Sequence, residues 1–310
     1  MDQFNDLWGL ALTPDQTQLV VCDRQNHRLV VLDATDSRAV SELTPLTSVM
    51  PRPMAVAIAP HTGQVLVADC VRHQVLLFAG LHSTEVIRTF GDGGAGSGDR
   101  QLSYPFGVAV VTAADVDPDA DSAAAAAASA GTDCSLVAIA DTFNHRVVLY
   151  RLHDASFVRH LGSEGSDSGQ FHYPSSIAVV PSAFTPDDHS AWLAVVDAYN
   201  RRVQVVTQLG QVVRVLQGDA ANGFFQLGSY MYGLTVCLGA DCQAEILVAD
   251  SSNHRVVAFA LEGSAARVVC GTGQRGSGAG ELNFPAGLAV TASGDICVVD
   301  SENNRVCWFR

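Results

Sequence analysis

Short apolar runs of five or six residues alternate with clusters of Gly, Pro, Asn and Asp along the whole chain, and none has helical spacing. In the last stretch, GLAVT (287–291) is followed by a turn, ASGD (292–295), and a second run, ICVVD (296–300). The turn SENN (301–304) then leads into a third run, RVCWF (305–309). Earlier stretches add a fourth run, such as ARVVC (266–270), before a glycine-rich passage that feeds the next GLAV-like run. Runs this rich in Val, Ile and Leu read as strands packed on both faces. Each unit is therefore predicted to be a four-stranded antiparallel meander, and sheets that are apolar on both faces must stack on one another.

One polar motif punctuates the runs. It occurs as DRQNHRLVVL from Asp23, DCVRHQVLLF from Asp69, DTFNHRVVLY from Asp141, DAYNRRVQVV from Asp197, DSSNHRVVAF from Asp250 and DSENNRVCWF from Asp300. Successive motif aspartates lie 46, 72, 56, 53 and 50 residues apart. A catalytic Asp-His-Arg trio is built once per chain, whereas a structural device recurs with the element it supports. Asp at a strand end accepts hydrogen bonds from turn amides, Asn tolerates the left-handed backbone of tight turns, and Arg pairs with Asp. The predicted braces are Asp23 with Arg28, Asp69, Asp141 with Arg146, Asp197 with Arg202, Asp250 with Arg255, and Asp300 with Arg305. Departures occur: the second copy carries Arg72, His73 and Gln74 in place of Asn-His-Arg, and Arg201 and Asn304 stand where other copies have His.

On these residues, most fully DRQNHRL (23–29), the chain resembles the NHL-repeat family of six-bladed β-propellers. The resemblance covers all six units. It implies an all-β fold of four-stranded antiparallel blades, with GLAV-type strands innermost around a central channel and the motif turn joining the second and third strands of each blade. Residues 1–310 are expected to form one propeller domain whose last blade lacks its outer strand. The ungapped match of DQFNDLWGLAL (2–12) to GELNFPAGLAV (280–290) places the first residues in an interblade loop, so a piece of a longer polypeptide, or an exposed strand edge, is expected. The long interval between Asp69 and Asp141 contains an Ala- and Asp-rich insertion at 112–133. A helix capped by Ser122 and stopped near Gly131 would be shorter than the ~12–15 residues an isolated helix needs, so a mobile loop is expected. By strand alternation this insertion and PSAFTPDDHSA (181–191) lie on the face opposite the motif turns.

Composition narrows the functions. Formal charge is −14 and all 18 basic residues are arginine, which removes Schiff-base lysines and the P-loop lysine and disfavours RNA as a partner. No apolar run approaches a membrane span, and the N-terminus carries acid where a secretory signal carries base, so a cytoplasmic, non-membrane protein is expected. The eight scattered cysteines form no CxxC pair and read as free thiols; Cys237 with Cys242 and Cys297 with Cys307 are the pairs placed to approach each other.

The candidate surface is the top face, where the motif turns and glycine-rich interblade loops meet. Starts of the innermost strands align as Gly9, Ala55, Gly107, Ser176, Gly233 and Gly287, small residues suited to a crowded axis. The preceding column contains Trp8, Met54, Phe106 and Tyr232, which either plug the channel or form a binding ring enlarged by Tyr104, Tyr173, Tyr230 and Phe284. The expected function is a non-catalytic scaffold, monomeric as an isolated domain, that binds a protein or peptide there. The alternative is single-stranded RNA, its bases stacked on these aromatics and its phosphates met by Arg52, Arg100 and Arg275, a use the tripartite-motif members of the family imply. Relatives with metal-dependent lyase or lactonase chemistry use channel histidines or carboxylates, and the channel-mouth columns here have neither. No catalytic residue, metal or cofactor is expected. Glycine-rich loops such as GDGGAGSGD (91–99) follow strands but open no helix, so they read as flexible connections rather than phosphate cradles.

Overall fold

The computed structural model describes residues 4–35, 39–43, 52–117, 119, 133–185, 190–218, 226–239, 243–262 and 266–310. Most of the 112–133 insertion, including the stretch from Ser122 to Gly131 expected to be a loop, lies outside the described residues. Blade 1 contains β1 (Leu7–Leu12), β2 (Gln18–Asp23), β3 (Arg28–Asp33) and β4 (Ala39–Leu43). Blade 2 contains β5 (Pro53–Ile58), β6 (Val65–Asp69), β7 (Gln74–Phe78) and β8 (Val86–Phe90). Blade 3 contains β9 (Pro105–Val111), β10 (Leu136–Asp141), β11 (Arg146–Arg151) and β12 (Phe157–Leu161). Blade 4 contains β13 (Pro174–Val180), β14 (Trp192–Asp197), β15 (Arg202–Val206) and β16 (Val212–Gln217). Blade 5 contains β17 (Leu234–Leu238), β18 (Ala244–Asp250), β19 (Arg255–Ala260) and β20 (Ala266–Cys270). Blade 6 has three strands, β21 (Pro285–Val290), β22 (Ile296–Asp300) and β23 (Arg305–Phe309). Every pairing between these strands is antiparallel and sequential, and the helical turns among the described residues are single 3₁₀ turns.

Strands β1, β5, β9, β13, β17 and β21 adjoin one another in that order, and β21 returns to β1, so the ring closes. The apolar runs explain the closure. Both faces of each blade are hydrophobic, and they interdigitate in six separate layers, one between each neighbouring pair of blades. The layer between blades 2 and 3 buries Phe90 against Tyr150, and the layer between blades 6 and 1 buries Leu7, Val21 and Val299. Each such side chain taken fully from water stabilises the fold by about 1.5–3 kcal/mol. Six layers of this kind require no helix and no disulfide, and the described cysteines, including Cys297 and Cys307, are free.

Crowding at the axis sets the small-residue column. A Cβ built on Gly107 would lie 2.8 Å from Ser176 Cα, and one on Gly9 would lie 2.7 Å from Ala55 Cα. Contacts this short do not occur, so inner strands of adjacent blades approach each other only because these side chains are small.

On the bottom face the described end of the insertion meets the 181–191 loop. Ser182 Oγ donates to Asp115 Oδ1 (2.5 Å), Ala191 N–H donates to the Asp115 carbonyl (2.9 Å), and Gln208 Nε2 donates to the same carbonyl (2.7 Å). Both segments therefore share the face opposite the motif turns. The described residues contain no helix long and apolar enough to cross a membrane.

Candidate functional site

The top face is assembled by the repeated motif. Each motif Asp ends the second strand of its blade, fully buried, and in five of the six blades faces the Arg that begins the third strand. The Arg Nε to Asp Oδ2 distance is 2.7 Å for Arg28 and Asp23, 2.8 Å for Arg146 and Asp141, and 2.7 Å for Arg202 and Asp197. It is 2.9 Å for Arg255 and Asp250 and 2.7 Å for Arg305 and Asp300. The other carboxylate oxygen accepts a backbone N–H from the loop that leads into the same blade: Asn5, Ser103, His172, Gly228 and Asn283 serve in turn. The motif Asn donates to the Asp as well, and in four blades to a loop carbonyl, as Asn144 does to Gly96 at 2.7 Å. A buried carboxylate is thus satisfied on all sides, which is what its burial requires.

Those bonds also order the glycine-rich passages. They do not act as flexible connections. Arg146 donates to the carbonyls of Ser97, Gly98 and Gln101, and Arg202 and Arg305 repeat the arrangement with Asp167 and Gln170, and with Ser277 and Glu281. Leu102, Phe171 and Leu282 anchor the three loops in the core. Blade 2 is the exception. Gln74 replaces the arginine, Asp69 Oδ2 is buried without a hydrogen-bond partner, and burial pushes the Asp69 carboxyl up to about 6.

The left-handed position of each motif turn is the residue after the motif Asn, not the Asn itself as the sequence reading has it. His27, His73, His145, Arg201, His254 and Asn304 all have φ between 49° and 56°. In that conformation the side chain reaches the next blade. His73 Nδ1 accepts the Tyr104 N–H, His145 Nδ1 the Tyr173 N–H, and His254 Nδ1 the Phe284 N–H, each at 3.1 Å. Asn304 Oδ1 does the same for Asp6 at 2.7 Å. The four donors, Asp6, Tyr104, Tyr173 and Phe284, themselves have φ between 50° and 62°, an uncommon state for non-glycine residues. The motif side chain therefore holds in place the strained residue that presents the next aromatic ring.

These rings form a continuous belt. Tyr104 packs on Phe143 (4.7 Å between centroids), Phe143 on Tyr173 (5.2 Å), Tyr173 on Tyr199 (4.8 Å) and Tyr199 on Tyr230 (6.2 Å). Phe284, Tyr232, Phe106 and Trp8 continue it to the channel mouth. Between belt and channel lies an open cleft of about 400 Å³, walled by Phe106, Phe143, Tyr173, Tyr199, Tyr230 and Tyr232. No charged side chain lines it, and burial holds the Tyr232 phenol up at about 12.

Of the residues singled out from sequence, Trp8, Phe106, Tyr232, Tyr104, Tyr173, Tyr230 and Phe284 come together in this belt. Met54 is 4 % exposed and lies beneath Arg24, whose Nη1 is 3.6 Å from its sulfur. Arg100 lines a separate cavity with Tyr150 and Phe157, while Arg52 and Arg275 are exposed. Phe143 and Tyr199, each 46 % exposed, escaped the sequence reading. Both occupy the third motif position, two residues after the Asp, and that shared offset was the available signal.

His145, His172 and Glu164 bring ligand atoms within 4.8 Å of one another, the one such cluster among the described residues. The hydrogen bonding argues against a metal. Because His145 Nδ1 accepts the Tyr173 N–H, the neutral ring carries its proton on Nε2, the atom 4.0 Å from Glu164 Oε1. A metal-bound histidine would instead donate through its second nitrogen.

Comparison with known proteins fits this architecture. The NHL repeat family matches residues 282–309, the sixth blade. Fold and repeat together define the class: a six-bladed β-propeller whose sixth blade matches the NHL repeat. The human E3 ubiquitin-protein ligase TRIM32 is 27% identical over 157 residues, 49% of this chain, and the matched part is 21% of that protein. Among solved structures, an auxiliary nutrient binding protein from Bacteroides ovatus aligns with a TM-score of 0.62 at 11% identity, covering 99% of this chain and 70% of that one. Hydrazine synthase of Kuenenia stuttgartiensis aligns with a TM-score of 0.56 at 14% identity, covering 99% of this chain and 77% of that one. Likeness at these identities shows the fold alone.

Proposed function

We propose that this propeller is a non-catalytic protein-interaction module that receives a protein segment on its top face. The observation that carries the reading is the exposed aromatic belt, presented by backbone that the motif braces hold rigid. Large aromatic rings on a preorganised surface contribute binding energy at low ordering cost, which is why they dominate interface hot spots. Propellers of this kind commonly act as interaction scaffolds. The channel, lined by residues such as Gly9, Ala55, Ser176 and Leu288, offers no convergent acid and base for chemistry.

The test is affinity capture with the wild-type domain, a Trp8, Phe106, Tyr232 triple Ala variant and a Phe143, Tyr199 double Ala variant, with and without ribonuclease. Protein partners that survive nuclease and vanish with the variants are the expected result. Captured RNA whose binding falls steeply with salt would replace the proposal, because phosphate contacts release counterions.

A further inference from the structure

We infer that the cleft between Phe143, Tyr199 and Tyr232 takes an arginine side chain of the bound segment, a reading that rests on the top face being the protein-binding surface. The first argument is the wall itself. Six aromatic rings from blades 3 to 5 surround about 400 Å³, and the remaining lining residues are Thr142, Ser175, Ala198 and Ser229. Ring faces carry negative electrostatic potential and attract a cation lying over them, most strongly where water is partly excluded. Nothing in the lining supplies that cation.

The second argument is that the same belt already holds a guanidinium elsewhere. At the channel mouth Arg24 lies over Trp8, 5.1 Å from the ring centroid, and forms an ion pair with Asp6 at 3.0 Å. Trp8 Nε1 donates to that aspartate at 2.6 Å, so one carboxylate orients both ring and cation. Around the belt, Glu164 is an acid one ring removed from the cleft wall. Its carboxylate, 70% exposed, faces His145, whose ring packs 4.4 Å from Tyr173 on the cleft wall.

The third argument is the field. A chain of net charge −14 without lysine draws cationic segments and repels anionic ones. Arginine is favoured over lysine because a planar, weakly hydrated guanidinium stacks on rings at a smaller desolvation cost. Arg201, exposed two residues beyond Tyr199, is the charge on that turn that opposes the guest.

Short fluorescent Gly/Ser peptides carrying a central arginine pair, or the same positions as lysine, citrulline or leucine, test the assignment by titration against the purified domain. Citrulline keeps the planar shape of arginine but replaces one amino group with a carbonyl oxygen, so it lacks the charge and two of the five N–H donors. Arginine is expected to bind about tenfold more tightly than citrulline, with lysine between them. Phe143→Ala and Tyr199→Ala should abolish the difference while leaving the melting temperature unchanged, since both rings are exposed. Arg201→Ala should tighten arginine binding. Equal affinity for arginine and citrulline, or tighter binding of leucine, overturns the inference, as does a labelled oligouridine that binds and is lost in the same two variants. Captured partners that disappear with the Trp8, Phe106, Tyr232 variant but do not distinguish arginine from citrulline would remove only the arginine assignment. Partners that survive that variant would remove the top-face reading itself.

Discussion

His145 of blade 3 accepts the backbone N–H of Tyr173, the residue that leads into blade 4, through Nδ1 at 3.1 Å. One side chain thus ties two blades together and fixes a ring of the aromatic belt. The bond exists only while Nδ1 is unprotonated. Burial is the largest influence on both His145 and His254 and holds them below the ordinary histidine value of 6.5.

Acid should therefore loosen the top face. A histidine with a depressed folded pKa contributes stability that is present above the unfolded value and lost as pH falls from about 6.5 through the folded value, because the unfolded chain then binds more protons. Blade 6 supplies the control, since Asn304 makes the same bond without a titrating group. Melting temperature should drop between pH 7 and pH 5 for the wild type, and the drop should be smaller in a His145→Asn, His254→Asn variant. A double Asn variant with unchanged acid sensitivity would place the titration elsewhere.

Asp69 carries the opposite sign. Its folded pKa of about 6 lies above the ordinary aspartate value of 3.8, so the folded protein binds more protons in that window and its stability declines as pH rises through it. Above pH 6 the buried charge is a standing cost. Asp69→Asn should raise the melting temperature at pH 7.5 and do little near pH 4. Gln74→Arg, which restores the partner present in the other five blades, should also stabilise at pH 7.5. Denaturant melts at the two pH values check both.

How much of this was legible beforehand follows from which interactions are local. Strand runs, blade count and the three-stranded sixth blade could be read because hydrophobic alternation and the Asp-to-Arg spacing are set within one blade. The identity of the left-handed residue could not, because Asn144 and His145 are adjacent and both types tolerate that backbone. The choice is made by the Tyr173 amide, 28 residues away. Phe143 and Tyr199 were hidden for a similar reason: a ring at the third motif position reads as an exposed turn residue until the belt around it is assembled. The bareness of Asp69 was visible as Gln74, but its burial was not.

The axis sets a further expectation. Gly107→Val would drive a branched side chain into Ser176 of the neighbouring blade, where the built Cβ already lies 2.8 Å from backbone. Overpacking of this kind typically costs about 1–3 kcal/mol. Thermal melts should show that loss, whereas the same substitution at Gly63, whose Cβ meets nothing within 4 Å but whose φ is +68°, should cost only its backbone strain.

The braces predict a separation of stability from binding. Arg146 joins Asp141 at 2.8 Å to the carbonyls of Ser97, Gly98 and Gln101, at 2.7, 3.1 and 3.1 Å. Arg146→Ala takes from a fully buried carboxylate its cationic partner, leaving it the Ser103 N–H and the Asn144 amide, and removes the guanidinium donor from three loop carbonyls, at a cost of about 1–3 kcal/mol, more where the charge cannot be rehydrated. Lysine cannot reproduce the fork, so Arg146→Lys should recover only part of the loss. Because the guanidinium pins residues 97–101, limited proteolysis of the Ala variant should begin in that loop before global unfolding. Arg305, whose side chain is 36% exposed against 9% for Arg146, should show a smaller loss on the same substitution. The folded fraction of either variant should retain the ligand affinity of the wild type. A binding defect at unchanged melting temperature would mean that the brace arginines belong to the binding surface and not to the scaffold beneath it.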